Sequence, residues 1–425
     1  IEDNKERALH GKFLTTIVRN VPVKLDLEQA RLWKYDRAEV ISMLRDLGFV
    51  SMVDRIPDPR IDVSASTQPE LPINTVTRET HYTIVDTIEK LDEMVHRLDS
   101  PEGFSFDTET TGKNPVAANL VGLSFYNTAN LAWYVPVGHD EGTQLPLDQV
   151  LNTLRPLFES TSIPKVAHNA CYDLTVLARQ GVTVRNLALD TMVAAHLVGR
   201  KALGLKALGL ELLNIEMTSI TDLIGTGKKQ ITMAQTSIEQ AAEYAAADAD
   251  VTEQLRGVLE REMEEKAVKS ALSTVEIPLS SVLMRMQLNG IAMNSDLLKT
   301  MSIELGNQMS AIEANTHEIV GHKFNLNSSQ QLGEVLFNEL SLPPTKRTQK
   351  GYSTDASSLE SLKVMLDLDK VQNVDPKASR ILSNILEYRQ ISKIKSTYTD
   401  SLPHLVNPET GRIHTSYNQA GAATG

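Results

Sequence analysis

Residues 103–110 read GFSFDTET, an apolar run that ends in acid. As a strand over Phe104 to Glu109, its period of two puts Phe104 and Phe106 on one face and Ser105, Asp107 and Glu109 on the other. Two carboxylates then point the same way from a rigid support. Further on, KVAHNACYDLTVLARQG at 165–181 reads as a short strand, Lys165 to Ala167, then a helix, Ala170 to Gln180, closed by Gly181. Asn169 and Asp173 lie one turn apart and share a face. SIEQAAEYAAADADVTEQL at 237–255 is rich in Ala, Glu and Leu and strongly helical, with Tyr244 and Asp248 again one turn apart.

Gathered in one place, Asp107, Glu109, Asp173 and Asp248 would repel one another, because like charges a few ångströms apart cannot all ionise cheaply. Hard divalent cations resolve this, since Mg²⁺ takes carboxylate, water and phosphate oxygens together. Two such ions can hold an attacking water and a leaving oxygen in line across one phosphorus. The chemistry implied is phosphodiester hydrolysis. Singly, each motif has a plain alternative: DxE at a strand end and YxxxD on a helix surface are common by chance. The weight lies in all three occurring in this order, each on the element it needs.

The 425 residues allow two to three domains with full-sized cores. Hydrophobic content of 41% and charged content of 23% are ordinary for a soluble globular protein. No run approaches the length of a membrane span, and the start, IEDNKERALHGK, lacks the apolar core of a signal peptide. A cytoplasmic setting without membrane contact is expected. The single cysteine, Cys171, excludes a disulfide framework or a cysteine-rich zinc site, and packing is its expected role. A net charge of -12 argues against a uniformly basic nucleic-acid surface, although the balance turns positive around Lys346, Arg347, Lys350, Arg389, Lys393 and Lys395.

Four segments follow from composition and pattern. Residues 1–57 carry one helical pattern, Arg37 to Leu47, stopped by Gly48, and 58–79 have the Pro, Ser and Thr content of a linker. Residues 80–265 read as an α/β domain, with strands at His81 to Val85, Gly103 to Thr108, Leu120 to Tyr126, Ala132 to Val137 and from Lys165. Residues 266–425 are mainly helical up to a strand-like GRIHTSY. The chain starts at Ile1 without methionine and stops soon after that stretch, and so reads as a fragment.

DTET, NxxxD and YxxxD in this order resemble the 3′→5′ exonucleases of the DEDD superfamily, in its tyrosine-containing branch. VEIPLSSVLMRMQLNGIAM, FNLNSSQQLGEVLFNEL and EYRQISKIKSTYTDSLPHLVNPETGRIHTSYNQAGAATG closely resemble the start of the polymerase region of bacterial family-A DNA polymerases. In front, KFLTTIVRNVPVKLDLEQARLWKYDRAEVISMLRDLGFVSMVDRIP is similar to the end of a 5′ nuclease domain.

The resemblance implies a ribonuclease H-like fold, a mixed sheet flanked by helices, followed by a polymerase thumb. It also implies roles: Asp107 bridging two divalent metals, Mg²⁺ or Mn²⁺; Glu109 and Asp248 completing one site; Asp173 serving the second; Tyr244 orienting the attacking water. Asn169 would contact the terminal nucleotide. In the thumb, Lys393, Lys395, Ser396 and Thr397, with Asn325 and Ser328 near a helix start, would meet duplex phosphates; a solvated helix face is the alternative for the two lysines. His414 and Thr415 are weaker candidates. The partner expected is DNA, and the state a monomer.

Three departures stand out. Lys113 occupies the offset after DTET where the family often has a leucine that wedges against the terminal base. The palm carboxylates and fingers helix used for synthesis are missing, as are the metal-binding acids of the 5′ nuclease. Two other readings stay open: a DNA-binding module without catalysis, and an RNA-trimming enzyme of the ribonuclease D type, which would have no need of the STYTD and GRIHTSY region.

Overall fold

A computed structural model describes residues 35–47, 81–127, 130–348, 351–368 and 375–422, plus isolated positions before residue 81. The linker expected at 58–79 and most of the segment before it lie outside the described residues. Within that segment, helix α1 (Arg37–Asp46) forms where the pattern placed it.

The α/β part is built on a six-stranded sheet. In chain order the elements are β1 (His81–Ile84), α2 (Ile88–Leu98), β2 (Phe104–Thr110), β3 (Leu120–Asn127), β4 (Leu131–Pro136), α3 (Leu147–Glu159), β5 (Lys165–Ala167), α4 (Ala170–Arg179), β6 (Leu187–Asp190), α5 (Thr191–Leu197) and α6 (Ile238–Glu265). The strand order is β1-β4-β3-β2-β5-β6. Strands β2, β3 and β4 pair antiparallel, while β1 on β4, β5 on β2 and β6 on β5 are parallel. The mixed α/β sheet expected from the sequence is therefore present, with β6 added.

Strand β2 sits centrally and has two different faces. Phe104 and Phe106 are fully buried against Phe158 of α3, and Phe104 also meets Phe125 of β3. The opposite face carries Ser105, whose hydroxyl donates to the carbonyl of Ala249 on α6 at 2.7 Å. Gly103 starts the strand at φ +80, where a Cβ would run into the Pro164 carbonyl that accepts from the Phe104 amide.

Helix α6 lies across the acid-bearing face. Ala241, Ala242, Ala245, Ala246 and Ala249 are all buried along its inner side. Short side chains at a helix contact permit close approach of the backbones, and the Ser105 to Ala249 hydrogen bond registers that closeness. Tyr244 and Asp248 are thereby brought over β2.

Beyond α6 the chain is mainly helical, as expected: α7 (Ile277–Asn289), α8 (Ser295–Val320), α9 (Ala356–Asp367) and α10 (Ala378–Ile394). Leu326, Leu332, Leu336, Leu359, Leu362, Ile381, Leu382 and Ile385 form a separate core there. Arg412–Ile413, within GRIHTSY, is a strand pairing with Val406–Asn407 and with Ile291–Ala292. Helix α7 packs on α4, and the Gln287 amide meets the buried Cys171 sulfur at 3.3 Å. Packing is the role expected of that cysteine.

The alanine contact supplies a test. Ala249→Leu forces α6 off the sheet, with an expected overpacking cost of about 1–3 kcal/mol; denaturant unfolding reads it, and an unchanged midpoint would show that the contact has slack.

Candidate active site

Asp107 and Glu109 project from β2, Asp173 from the first turn of α4, and Tyr244 and Asp248 from α6. All five line one cavity of about 770 Å³. Carboxylate oxygens of Asp107, Glu109 and Asp248 lie within 4.8 Å of one another, a spacing one cation can span. Asp173 is set apart by its own bonds: its Oδ1 accepts from the Thr108 amide at 3.0 Å and from the Thr108 hydroxyl at 2.5 Å. Its position is thus tied to the residue between the two acids of β2.

Burial and mutual repulsion push these acids up. Glu109 rises to about 8, first through burial and then through Asp248 and Asp173. Asp248 rises to about 7 through burial, against the pull of the Lys206 ammonium and a hydrogen bond from Tyr244. Asp173 rises to about 7, burial outweighing its bonds to Thr108. Asp107 is raised well above the ordinary carboxylate range by burial and then by Asp173, Glu109 and Asp248. The Tyr244 phenol is also pushed up, by burial and then by the neighbouring acids, and stays protonated. Such a donor set, acidic and short of cations, suits hard divalent metals.

Several contributors were not legible in the sequence. Lys206 holds its ammonium over the Tyr244 ring, 5.1 Å from the centroid, and donates to the Thr218 carbonyl. Asp190 is almost wholly buried at the end of β6 and receives the amides of Asn169, Ala170, Met192 and Val193. This carboxylate fixes the corner from which α4 departs and so positions Asp173. Ile220, Ile224, Ile231 and Met233 give the cavity an apolar wall. The acids could be found from spacing; these could not, because the strand, short helical turns and loops that carry them are too short to show a periodic pattern.

Asn169 lines the cavity beside His168, whose Nδ1 is 2.8 Å from the Thr191 hydroxyl, while Asn169 itself adopts φ 61, ψ 47. That left-handed conformation favours Asn or Gly. Lys113 also lines the cavity and is exposed.

The thumb candidates fare differently. Lys393, Ser396 and Thr397 are exposed, the Ser396 hydroxyl donating to the Ser392 carbonyl. The Lys395 ammonium is held by Asp400 at 2.8 Å and donates to the Ser302 hydroxyl at 2.9 Å. It ties α8 to the turn after α10. Ser328 accepts from the Gln331 amide as a helix cap, and Asn325 accepts from the Asn327 amide. The His414 ring bridges the Gln287 carbonyl and the Thr410 hydroxyl, whereas Thr415 is exposed.

With this geometry in place, similarity to known proteins becomes specific. Residues 82–264 match the family described as 3'-5' exonuclease, and residues 295–425 match DNA polymerase family A. The DNA polymerase I of Chloroflexus aurantiacus is 38% identical over 100% of this chain and 47% of its own length. That of Pseudomonas aeruginosa is 35% identical over 100% of this chain and 46% of its own. The chain belongs to the DNA polymerase I family. It spans about half the length of the curated relatives it matches. A solved structure, the POL domain of Pol1 from M. smegmatis in complex with DNA primer-template and dNTP, superposes with a TM-score of 0.65 at 27% identity. It covers 81% of this chain and 54% of that one. Membership in the exonuclease family and the carboxylate cluster together imply divalent metals.

Two tests follow. A carboxyl group with a raised folded-state pKa binds its proton more tightly when folded, so its folding penalty grows as pH climbs from the unfolded value of about 4 towards the folded one. With Glu109 near 8 and Asp173 and Asp248 near 7, metal-free protein should lose melting temperature between about pH 5 and 8. Mg²⁺ should restore it most at pH 8, as thermal melts in chelator and in Mg²⁺ would show. Separately, Asn169→Ala should cost about 1 kcal/mol of stability whereas Asn169→Gly should not, since only the alanine is strained at φ 61; the glycine variant then isolates the side chain's contribution to DNA cleavage.

Proposed function

We propose that this chain is a metal-dependent 3′→5′ exonuclease joined to a polymerase thumb, acting on a single-stranded or frayed DNA 3′ end and releasing a nucleoside monophosphate. The observation that carries this is the convergence of four acids and one tyrosine from β2, α4 and α6 on a single cavity. In this reading, residues 80–265 form the nuclease and 266–425 the thumb, preceded by a linker at 58–79 and a 5′ nuclease remnant at 1–57. The protein would work as a monomer in the cytoplasm, in replication and repair.

Asp107, Glu109 and Asp248 would hold one divalent ion, and Asp107 with Asp173 a second, Mg²⁺ being the metal proposed. Bound there, the ions would supply positive charge to the nucleophile, the phosphate and the departing 3′ oxygen. The protein's own groups do the positioning. Tyr244, protonated, keeps a hydroxyl donor beside Asp248 with which to orient a water. Lys206 holds the tyrosine ring and offsets part of the acid charge. The apolar wall from Ile220 to Met233 can shield the last nucleoside from water, and Asn169 can meet its sugar or base. Fixed groups of this kind accelerate hydrolysis by orientation and by charge already in place. Duplex DNA would lie along the thumb, with Lys393, Ser396 and Thr397 as phosphate contacts; DNA primer-template in the M. smegmatis complex supports a nucleic-acid partner. Among the described residues no helix is long and apolar enough to cross a membrane.

Digestion of 5′-labelled single-stranded DNA with Mg²⁺ tests the reading. A ladder shortening from the 3′ end is expected, with Asp107→Ala and Asp248→Ala at least about 10²-fold slower and no less stable without metal, because each removes a repelling charge. Tyr244→Phe should slow cleavage while leaving Mg²⁺ affinity, measured by calorimetry, unchanged. Near-normal cleavage by either alanine variant would refute the site; DNA binding without cleavage in the parent would favour the non-catalytic module.

A further inference from the structure

The cavity is strongly acidic, yet its proposed substrate is a polyanion, so something other than its floor must draw the strand in. Among the lining residues Lys113 is the only lysine or arginine. It sits on a loop fixed by three hydroxyl contacts: Thr110 and Tyr172 both donate to the Gly112 carbonyl, at 2.9 and 2.6 Å, and the two hydroxyls also meet each other. The Thr111 amide donates to the Asn119 carbonyl and the Asn119 amide to the Thr111 hydroxyl, closing the loop's base. Lys113 is therefore anchored by its backbone while its side chain is exposed and makes no ion pair or hydrogen bond among the described residues.

A second segment with positive charge borders the same cavity. Gly227 and Gln230 line it, and between them stand Lys228 and Lys229, both exposed and likewise without side-chain partners among the described residues. Gly225 and Gly227 turn the chain there at φ +75 and +68. The acid just before that loop, Asp222 in the helical turn Ile220–Ile224, accepts from the Ser219 amide at 3.2 Å. In a chain of net charge -12, some cations on neighbouring helices are held by acids, as Arg200 is by Glu211 and Glu262, and Arg256 by Glu253 and Glu260. Lys113, Lys228 and Lys229, on two segments that border one cavity, have no such partner among the described residues.

We propose that Lys113, Lys228 and Lys229 form a basic rim that grips backbone phosphates of the single strand entering the acid cavity. This rests on the exonuclease reading above. The rim grips by charge and is indifferent to base identity, because an ammonium meets phosphate without reading sequence. At Lys113 it provides an electrostatic hold at the offset where the family often has an apolar wedge.

The test uses the whole chain and a short fluorescent oligo-dT, bound in chelator so that metal plays no part, across a salt series. Each phosphate contact on a single strand contributes about 0.7 to the slope of log affinity against log salt. The combined K113A/K228A/K229A variant should therefore lose about 2 from that slope, and in Mg²⁺ its KM should rise about tenfold with kcat within about twofold. The K113R/K228R/K229R variant should retain both. An unchanged slope and KM would overturn the rim, as would a fall in kcat at constant KM. If the parent chain shows no Mg²⁺-dependent shortening, the exonuclease reading fails by itself, and the metal-free binding arm still decides whether the rim holds DNA.

Discussion

Mutual repulsion among Asp107, Glu109, Asp173 and Asp248 is the constraint around which this domain is arranged. Burial raises all four, and the charges of the others add to it for Asp107 and Glu109. Left to itself such a cluster would spread apart or take up protons. It is instead carried on three elements held by packing and hydrogen bonds elsewhere along their length, so the repulsion is carried by the scaffold and can be relieved by cations. Folding stability and metal affinity are in this sense linked: what the metal-free fold loses, a bound ion recovers.

Each support has its own physical basis. Strand β2 is held from behind by the Phe104, Phe106, Phe125 and Phe158 cluster. Helix α6 is drawn close by its alanine stripe and by Ser105. Helix α4 is oriented at its start by the Asp190 carboxylate and tied to β2 through Asp173 and Thr108. Asp190 and Asp173 are both buried acids near the same helix start, yet they do different things. Asp190 meets four amides and no cavity, whereas Asp173 keeps capacity to spare towards the cavity. Lys206 complements this by lowering Glu109 and Asp248 from behind the Tyr244 ring.

The nuclease and the helical region are not independent. Helix α7 rests on α4, and the carbonyl of its buried Gln287 receives the His414 ring, while the Gln419 amide caps back onto Glu276. The chain that follows α10 therefore folds back beside the helix that abuts α4, which carries Asp173. The helical region thus packs directly against α4.

The sequence by itself determined the acid set and most of the strands that carry it. Period two in GFSFDTET separates core from site, and one-turn spacing aligns Asn169 with Asp173 and Tyr244 with Asp248, because these are local properties of strand and helix. The helices after residue 266 and the strand within GRIHTSY were legible for the same reason. Strand β6 was not, since LALD is too short to show a pattern, and the role of Asp190 at its end depends on amides 20 residues away. Nor could sequence tell Lys393 from Lys395: two residues apart on one basic stretch, one is exposed and the other is taken by Asp400 and Ser302. Which charges are neutralised, which lysines remain at the cavity mouth and which side chains share it are decided by contacts between distant segments, and only the tertiary structure brings those segments together.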